Sequence, residues 1–128
     1  MATATCQKTL GAFYTGEPVA RWIIKWAIRD PQDTLLDPSC GGGVFLESAS
    51  KRLGAKRNGK PPIWGIDVDD EALRTAGERV ANCKLVKTDF FSVRSGDLPG
   101  FDAVVGNPPF IRYQSSNGGV LVSRYRRK

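Results

Sequence analysis

The segment Asn107-Pro108-Pro109-Phe110 combines residue types that can hold and orient an exocyclic amine. Such an amine is a poor nucleophile because its lone pair is delocalised into the ring. The side-chain carbonyl of Asn107 and the backbone carbonyl of Pro108 can each accept one of its N–H bonds, and successive prolines restrict that backbone. Preorganised dipoles of this kind stabilise developing positive charge, and Phe110 offers a face for stacking of an extruded base. A Pro-rich turn with a buried phenylalanine accounts for the segment equally well.

A glycine run forms a second group of candidate residues. Gly41, Gly42 and Gly43 follow Asp-Pro-Ser-Cys, and glycine lets a backbone approach a ligand and adopt positive φ. The spacing differs from the GxGxxG fingerprint, and a plain tight turn also explains it. Asp67 lies after the next predicted strand, where nucleotide-binding α/β folds place an acid that accepts hydrogen bonds from ribose hydroxyls. We interpret Asp67 as such a ligand, because neighbouring aspartates are better placed to cap the following helix.

Composition narrows the possible chemistry. The chain has 128 residues, enough for one small domain, and contains no histidine, which excludes His-based nucleophile activation and His metal ligands. Cys6, Cys40 and Cys83 are far apart and form no CxxC pair, so neither a metal site nor a disulfide framework is expected. The net charge of +6 suits a polyanionic partner.

No segment resembles a targeting or membrane sequence. Residues 1–10 lack an apolar signal-peptide core, and no apolar stretch approaches the roughly 20 residues of a membrane span. We therefore expect a cytoplasmic protein with no membrane partner.

Helical and strand patterns alternate along the chain. Helices are predicted over 18–29, 44–53 and 71–80, the last of them capped by Asp69 or Asp70, and strands over 34–36, 63–66, 84–87 and 101–106. This alternation predicts an α/β fold with a parallel sheet and right-handed crossovers. In the first helix Val19, Trp22, Ile23 and Trp26 repeat at helical spacing, and we expect both tryptophans to pack in the core.

Four polar residues lie just after predicted strands. They are Asp37, Asp67, Asp89 and Asn107. In an open parallel sheet, ligands bind outside the carboxyl ends of the strands. We expect these four side chains to converge on one edge, and this convergence favours a binding site more than any single motif.

Five segments together resemble the gamma group of DNA adenine-N6 methyltransferases, especially the fused restriction-modification type. They are GAFYT at 11–15, DPSCGGGVFL at 37–46, GIDVD at 65–69, TDFF at 88–91 and GNPPFIRYQ at 106–114, in the order of that group. Five ordered motifs are far more specific than one. The resemblance implies a Rossmann-like fold that binds S-adenosylmethionine, with strands in the order 3-2-1-4 and helices on the sheet.

The resemblance also implies residue roles. Thr15 and the glycine loop would hold the methionine end of the cofactor, Asp67 the ribose and Asp89 the adenine amine, and Asp37 would order the loop or meet the cofactor's ammonium group. The implied cofactor-binding residues are Tyr14, Thr15, Asp37, Pro38, Gly41, Gly43, Asp67, Asp89 and Phe90, and the implied catalytic residues are Asn107, Pro108, Pro109 and Phe110.

Two features depart from the family pattern. Gly16 and Glu17 separate Thr15 from Pro18, where the family often has proline directly. The pattern also stops after the fourth strand, so 1–114 is interpreted as a partial catalytic domain and 115–128 as a basic tail. The expected partners are DNA and a second chain that supplies the missing strands and the target-recognition domain.

Other activities remain open at this point. A methyltransferase of protein glutamine or of RNA can use an Asn-Pro-Pro-aromatic motif, and the chain can also be a non-catalytic cofactor-binding fragment. Cytosine-C5 methylation needs a Pro-Cys nucleophile, and no proline precedes any of the three cysteines.

Overall fold

Four strands and three helices alternate in the computed structural model, which describes residues 15–53 and 59–108. In chain order the elements are α1 (Glu17–Ala27), β1 (Leu35–Asp37), α2 (Val44–Leu53), β2 (Ile63–Asp67), α3 (Asp70–Arg79), β3 (Cys83–Lys87), a 3-10 turn (Phe90–Ser92) and β4 (Ala103–Val104). The predicted alternation is confirmed. β4 is shorter than the predicted strand over 101–106.

The strands form one parallel sheet in the order β3-β2-β1-β4. β1 is aligned with β2 from Leu35 opposite Ile63 to Asp37 opposite Gly65. On its other side, β1 is aligned with β4 at Leu35 and Ala103. Parallel pairing brings the carboxyl ends of β1, β2 and β4 to the same edge, as the alternation of elements predicted.

The ends of the helices follow from local sequence. Pro18 lies in the first turn of α1, where a missing N–H is harmless. At the start of α3, the Asp69 carboxylate accepts a hydrogen bond from the Glu71 N–H at 3.0 Å. Of the two aspartates predicted to cap this helix, Asp69 and Asp70, the N-cap is therefore Asp69, and the Asp67 side chain does not serve as the cap.

The core lies between the sheet and the helices. Leu35, Ile63 and Ile66 are fully buried in the central strands. Leu46 of α2 and Ile24 of α1 are buried against them. Strands buried in this way are apolar almost throughout, as parallel strands covered by helices must be.

The prediction that both tryptophans of α1 pack in the core is wrong. Trp22 is 71% exposed and Trp26 is 67% exposed, whereas Ala20 and Ile24 are buried. α1 is apolar over two adjacent stripes, and the core uses the one that contains Ala20 and Ile24. Periodicity identifies both stripes but does not tell which of them the rest of the chain covers.

Gly65 provides a test of the packing between β2 and α2. A Cβ at this position would lie 2.7 Å from Cδ1 of Leu46 and 3.0 Å from Sγ of Cys40. We expect Gly65→Ala to lower the free energy of unfolding by ~1–3 kcal/mol, the usual cost of overpacking a core. Urea denaturation followed by circular dichroism measures this.

The matched control is Gly77→Ala in helix α3. There the added Cβ would make only an ordinary contact, 3.5 Å from Cδ1 of Leu85. Alanine favours a helix over glycine by up to ~1 kcal/mol, so this variant should be neutral or stabilised. Equal losses in the two variants would show that the close packing at Gly65 is not as described.

Candidate functional site

The carboxyl ends of the strands bring together residues from distant parts of the chain. Asp37 ends β1, Asp67 ends β2, and Asn107 follows β4. The side-chain Nδ2 of Asn107 donates to Oγ1 of Thr15 at 3.2 Å, although 92 positions separate them. The Ser39 hydroxyl lies 3.5 Å from the backbone carbonyl of Asn107. The predicted catalytic asparagine, the N-terminal motif and the loop after β1 therefore meet at one edge.

The glycine loop is held by Asp67. Oδ2 of Asp67 accepts from the Gly41 N–H at 2.8 Å, and Oδ1 accepts from the Asp69 N–H at 2.9 Å. Gly41 has φ +51° and Gly43 has φ +91°, so both occupy the region that favours glycine. The position of Asp67 after β2 predicted only a contact with ribose, and no sequence pattern indicated that its carboxylate binds the Gly41 N–H of the loop.

Helix α3 packs against the glycine loop. A Cβ on Gly43 would lie 3.0 Å from Cβ and 3.2 Å from Cα of Ala76. One turn further along α3, Arg79 forms an ion pair with Glu47, and its Nη1 lies 3.4 Å from the Gly42 carbonyl. No local sequence pattern predicts the ion pair of Arg79 and Glu47, because their contact depends on how α2 and α3 pack.

Asp37 is the most buried carboxylate of the edge. It is only 1% exposed, and its Oδ1 accepts from the Ser39 N–H at 3.1 Å. Within the described part of the chain, Oδ2 has no hydrogen-bond partner. Burial raises the pKa of Asp37 to about 7, the Ser39 hydrogen bond opposes this, and the charge of Asp67 adds to it. An unpartnered buried oxygen of this kind is suited to a cationic or donor group of a ligand.

Asp37 should make stability depend on pH. Its folded-state pKa is raised above the ordinary value of 3.8. Its stabilising contribution is therefore complete below about pH 4 and is lost as the pH rises through about 7, by at most ~4 kcal/mol. We expect the free energy of unfolding to fall from pH 4 to pH 7 relative to that of Asp37→Asn. Thermal denaturation of both proteins across this range measures the difference, and parallel pH profiles would contradict the burial of Asp37.

Cys40 lies beside the same carboxylates. Burial and then the charges of Asp37 and Asp67 raise the pKa of the Cys40 thiol to about 12. A thiol with so high a pKa carries almost no thiolate near neutral pH and is a poor nucleophile. The high pKa of Cys40 and the absence of a Pro-Cys motif both argue against a nucleophilic cysteine of the kind that cytosine-C5 methylation needs.

The remaining predicted site residues are placed less centrally. Asp89 follows β3, is exposed, and accepts from the Phe91 N–H at 3.0 Å, which caps the 3-10 turn. Phe90 is half-buried and Pro108 is exposed. Tyr14, Pro109 and Phe110 lie outside the described residues, so their predicted roles stay predictions.

The described ranges contain neither a clustered metal site nor a membrane-spanning helix. Within 15–53 and 59–108, no group of three or more Cys, Asp or Glu side chains is arranged to hold a metal ion. Across the same residues, no helix is long and apolar enough to cross a bilayer.

The sequence model of the N-6 DNA Methylase family matches residues 1–126, almost the whole chain. The chain belongs to the N-6 DNA methylase family. It is 33% identical over 108 residues to the Type II methyltransferase M.VspI of Vibrio sp. (strain 343), covering 78% of this chain and 25% of that protein. It is 25% identical over 107 residues to the Type II methyltransferase M.HincII of Haemophilus influenzae, covering 84% of this chain and 18% of that protein.

A solved structure shares the fold of this N-6 DNA methylase chain. The modification subunit of a putative type I restriction enzyme from Vibrio vulnificus YJ016 matches with a TM-score of 0.65 and 22% identity, covering 78% of this chain and 24% of that one. The fold is thus the Rossmann-like fold of S-adenosylmethionine-dependent methyltransferases, as predicted. The chain spans only about a fifth to a quarter of these relatives.

Proposed function

We propose that this N-6 DNA methylase chain is the cofactor-binding half of a restriction-modification enzyme that methylates adenine N6 in DNA, with S-adenosylmethionine as methyl donor. The observation that carries the proposal is the hydrogen bond between Asn107 and Thr15. It joins the segment suited to hold an amine to the segment expected to hold the cofactor. A methyl donor and its acceptor must meet at such a point.

The edge residues fit a cofactor that has a nucleoside and an amino-acid end. Gly41, at positive φ in the loop after β1, has open space where a Cβ would lie, which leaves room for close approach of a ligand to the backbone. The unpartnered Oδ2 of Asp37 suits an ammonium group, and the Asp67 carboxylate at the end of β2 suits ribose hydroxyls. Asp89, with Phe90 beside it, would receive the adenine. When bound, S-adenosylmethionine supplies an electrophilic methyl group.

The chain's own contribution to methyl transfer is to position the acceptor. Donation from Nδ2 to Thr15 fixes the orientation of the Asn107 amide. The Asn107 carbonyl and the backbone carbonyl of Pro108 would accept the two N–H bonds of the target amine, directing its lone pair toward the methyl group. Phe110 would stack on the extruded base. This arrangement needs no histidine, and the chain has none.

The proposed partners are DNA and a polypeptide that supplies the rest of the catalytic domain and the target-recognition domain. The net charge of +6 favours association with DNA, and the matched segments make up only 18% and 25% of two relatives. We expect no detectable methyl transfer by the isolated chain, because extrusion of a base needs contacts beyond the cofactor edge. An enzyme with these partners would work in the cytoplasm.

The test is reconstitution. The intact chain is co-expressed with the part of the Vibrio Type II methyltransferase that lies outside the matched segment, here called the complementing polypeptide. The complex is incubated with S-adenosylmethionine and adenine-containing duplex DNA, and nucleosides are analysed by mass spectrometry. We expect N6-methyladenine in DNA only when both chains are present. Methylation of RNA or of protein glutamine in place of DNA would support the alternative substrates.

A further inference from the structure

The peptide that links Gly42 to Gly43 is bonded at both of its polar groups. The Gly43 N–H donates to the Cys40 carbonyl at 2.9 Å. From helix α3, Nη1 of Arg79 donates to the Gly42 carbonyl at 3.4 Å. Because the N–H and C=O of a planar trans peptide point in opposite directions, the two bonds together fix the orientation of this peptide in the glycine loop.

Glu47 orients the side chain of Arg79. Nε of Arg79 donates to Oε2 of Glu47, and the other carboxylate oxygen accepts from Nζ of Lys51 at 3.3 Å. Burial alone would raise the pKa of Glu47, but the hydrogen bonds from Arg79 and Lys51 hold the pKa below its ordinary value. Glu47 is therefore ionised near neutral pH and is a charged partner for the guanidinium.

The guanidinium bridges the loop and the helix that follows it. The Glu47 N–H donates to the Gly43 carbonyl at 2.9 Å, so the backbone of Glu47 is itself joined to the loop. The Arg79 and Glu47 side chains are 35% and 21% exposed, so the pair is partly shielded from water, unlike an ordinary surface pair. A guanidinium presents its N–H groups in a rigid planar fork and can hold two acceptors in one geometry.

The packing of α3 limits the directions in which the loop can move. A Cβ on Gly43 would lie 3.0 Å from Cβ of Ala76, and a Cβ on Gly42 would lie 3.7 Å from Cγ2 of Thr75. Arg79 lies three and four positions after these two residues, on the same face of the helix. The loop can therefore move away from α3 but not toward it, and the bond from Arg79 to the Gly42 carbonyl opposes that movement.

We propose that Arg79 is a positioning residue for S-adenosylmethionine: through the Gly42 carbonyl and Glu47, it keeps the glycine loop in the conformation that receives the cofactor. A loop that adopts its binding conformation only part of the time binds with an affinity reduced by that fraction. The inference rests on the part of the proposed function that assigns the glycine loop to the cofactor. It adds a residue of α3 that sets how tightly the loop binds.

Amide hydrogen exchange of the cofactor-free chain tests whether Arg79 holds the loop. In Arg79→Ala, the N–H groups of Gly43 and Glu47 should exchange at least about tenfold faster, because the loop opens locally more often. The N–H groups of Leu35 and Val105, which are bonded within the sheet, should stay within about twofold. An ion pair that only stabilised the whole fold would change both groups of amides together.

Calorimetric titration with S-adenosylmethionine tests the consequence for the cofactor. Arg79→Ala should weaken binding by about 3- to 30-fold, the range for a residue that acts on a site without touching its ligand. Glu47→Ala should cause part of the same loss, and the double variant should bind no more weakly than Arg79→Ala, because both residues act through one contact. The titrations are made well below the thermal midpoints, so that every variant is folded.

Two further variants separate positioning from stability. Arg74→Ala is the matched control, because Arg74 lies on the same helix and pairs with Glu71 at 3.6 Å, both side chains being exposed. It should leave affinity and loop exchange within about twofold of the unaltered chain. Arg79→Lys keeps a positive charge opposite Glu47 but lacks the planar fork, so it should restore the thermal midpoint more fully than the affinity.

Three results would overturn the inference. They are unchanged cofactor affinity in a folded Arg79→Ala chain, equal acceleration of exchange in the loop and in the sheet, and a loss of affinity in Arg74→Ala as large as that in Arg79→Ala. Failure of the unaltered chain to bind S-adenosylmethionine would instead contradict the proposed function. In that case the exchange rates would still show whether Arg79 holds the loop, because they are measured without cofactor.

Discussion

Replacing Asn107 with alanine should reduce methyl transfer by the reconstituted enzyme on the order of 100- to 1,000-fold, the loss typical of removing one preorganised polar contact to a reacting group. The variant loses the carbonyl that would accept an N–H of the target amine and the Nδ2 donor to Thr15. Affinity for S-adenosylmethionine should change little, because Asn107 is proposed to contact the target amine and not the cofactor. Single-turnover methylation and calorimetry measure the two quantities separately.

The matched control is Asn82→Ala, which removes the same side chain from the turn between α3 and β3. It should leave methyl transfer unchanged. Thr15→Val provides an intermediate case, since it removes the hydroxyl that orients the Asn107 amide but keeps its carbonyl. Near-normal turnover to adenine N6 in Asn107→Ala would refute the proposed positioning of the amine.

Asp67→Ala should weaken binding of S-adenosylmethionine by ~1–3 kcal/mol, or about 5- to 150-fold in dissociation constant. The proposed ribose contacts are lost, and so is the 2.8 Å hydrogen bond that holds the Gly41 N–H. The loss of the ribose contacts and the loss of the Gly41 hydrogen bond should each weaken cofactor binding. Calorimetric titration of the intact chain gives the affinity.

Asp69→Ala serves as the control for Asp67. Asp69 caps α3 and makes no contact with the glycine loop in the hydrogen bonds of the described residues. Its replacement should lower stability by ~0.5–2 kcal/mol, the range for loss of an N-cap, while affinity stays nearly constant. Asp67 would lose its ribose role if its alanine variant, with the fold intact, bound the cofactor as tightly as the unaltered chain.

Elements with strong local signals could be predicted from the sequence. Helix α2 has the predicted bounds, Asp69 caps α3 as expected, and the parallel order 3-2-1-4 is confirmed. These features depend on glycines and prolines that end helices and strands, on capping residues, and on the alternation of strands and helices. All of these signals can be recognised in short stretches of sequence. The convergence of Asp37, Asp67 and Asn107 followed from topology alone.

Features that depend on packing were not predictable. The sequence marked α1 as apolar but not which stripe is buried, so Trp22 and Trp26 were placed wrongly in the core. The Arg79–Glu47 ion pair and the bond from Gly41 to Asp67 join residues whose approach is set by tertiary contacts. The elevated pKa of Asp37 likewise arises from burial that no local pattern reports.

The most direct test of the central claim is calorimetric titration of the intact 128-residue chain with S-adenosylmethionine and with its demethylated product. All five segments proposed to bind the cofactor or the target lie within this chain, and hydrogen bonds join their described residues at one edge of the sheet. We predict saturable binding with one ligand per chain, weakened in Asp67→Ala and preserved in Asn107→Ala. A chain that circular dichroism shows to be folded, yet that binds neither compound, would contradict the account.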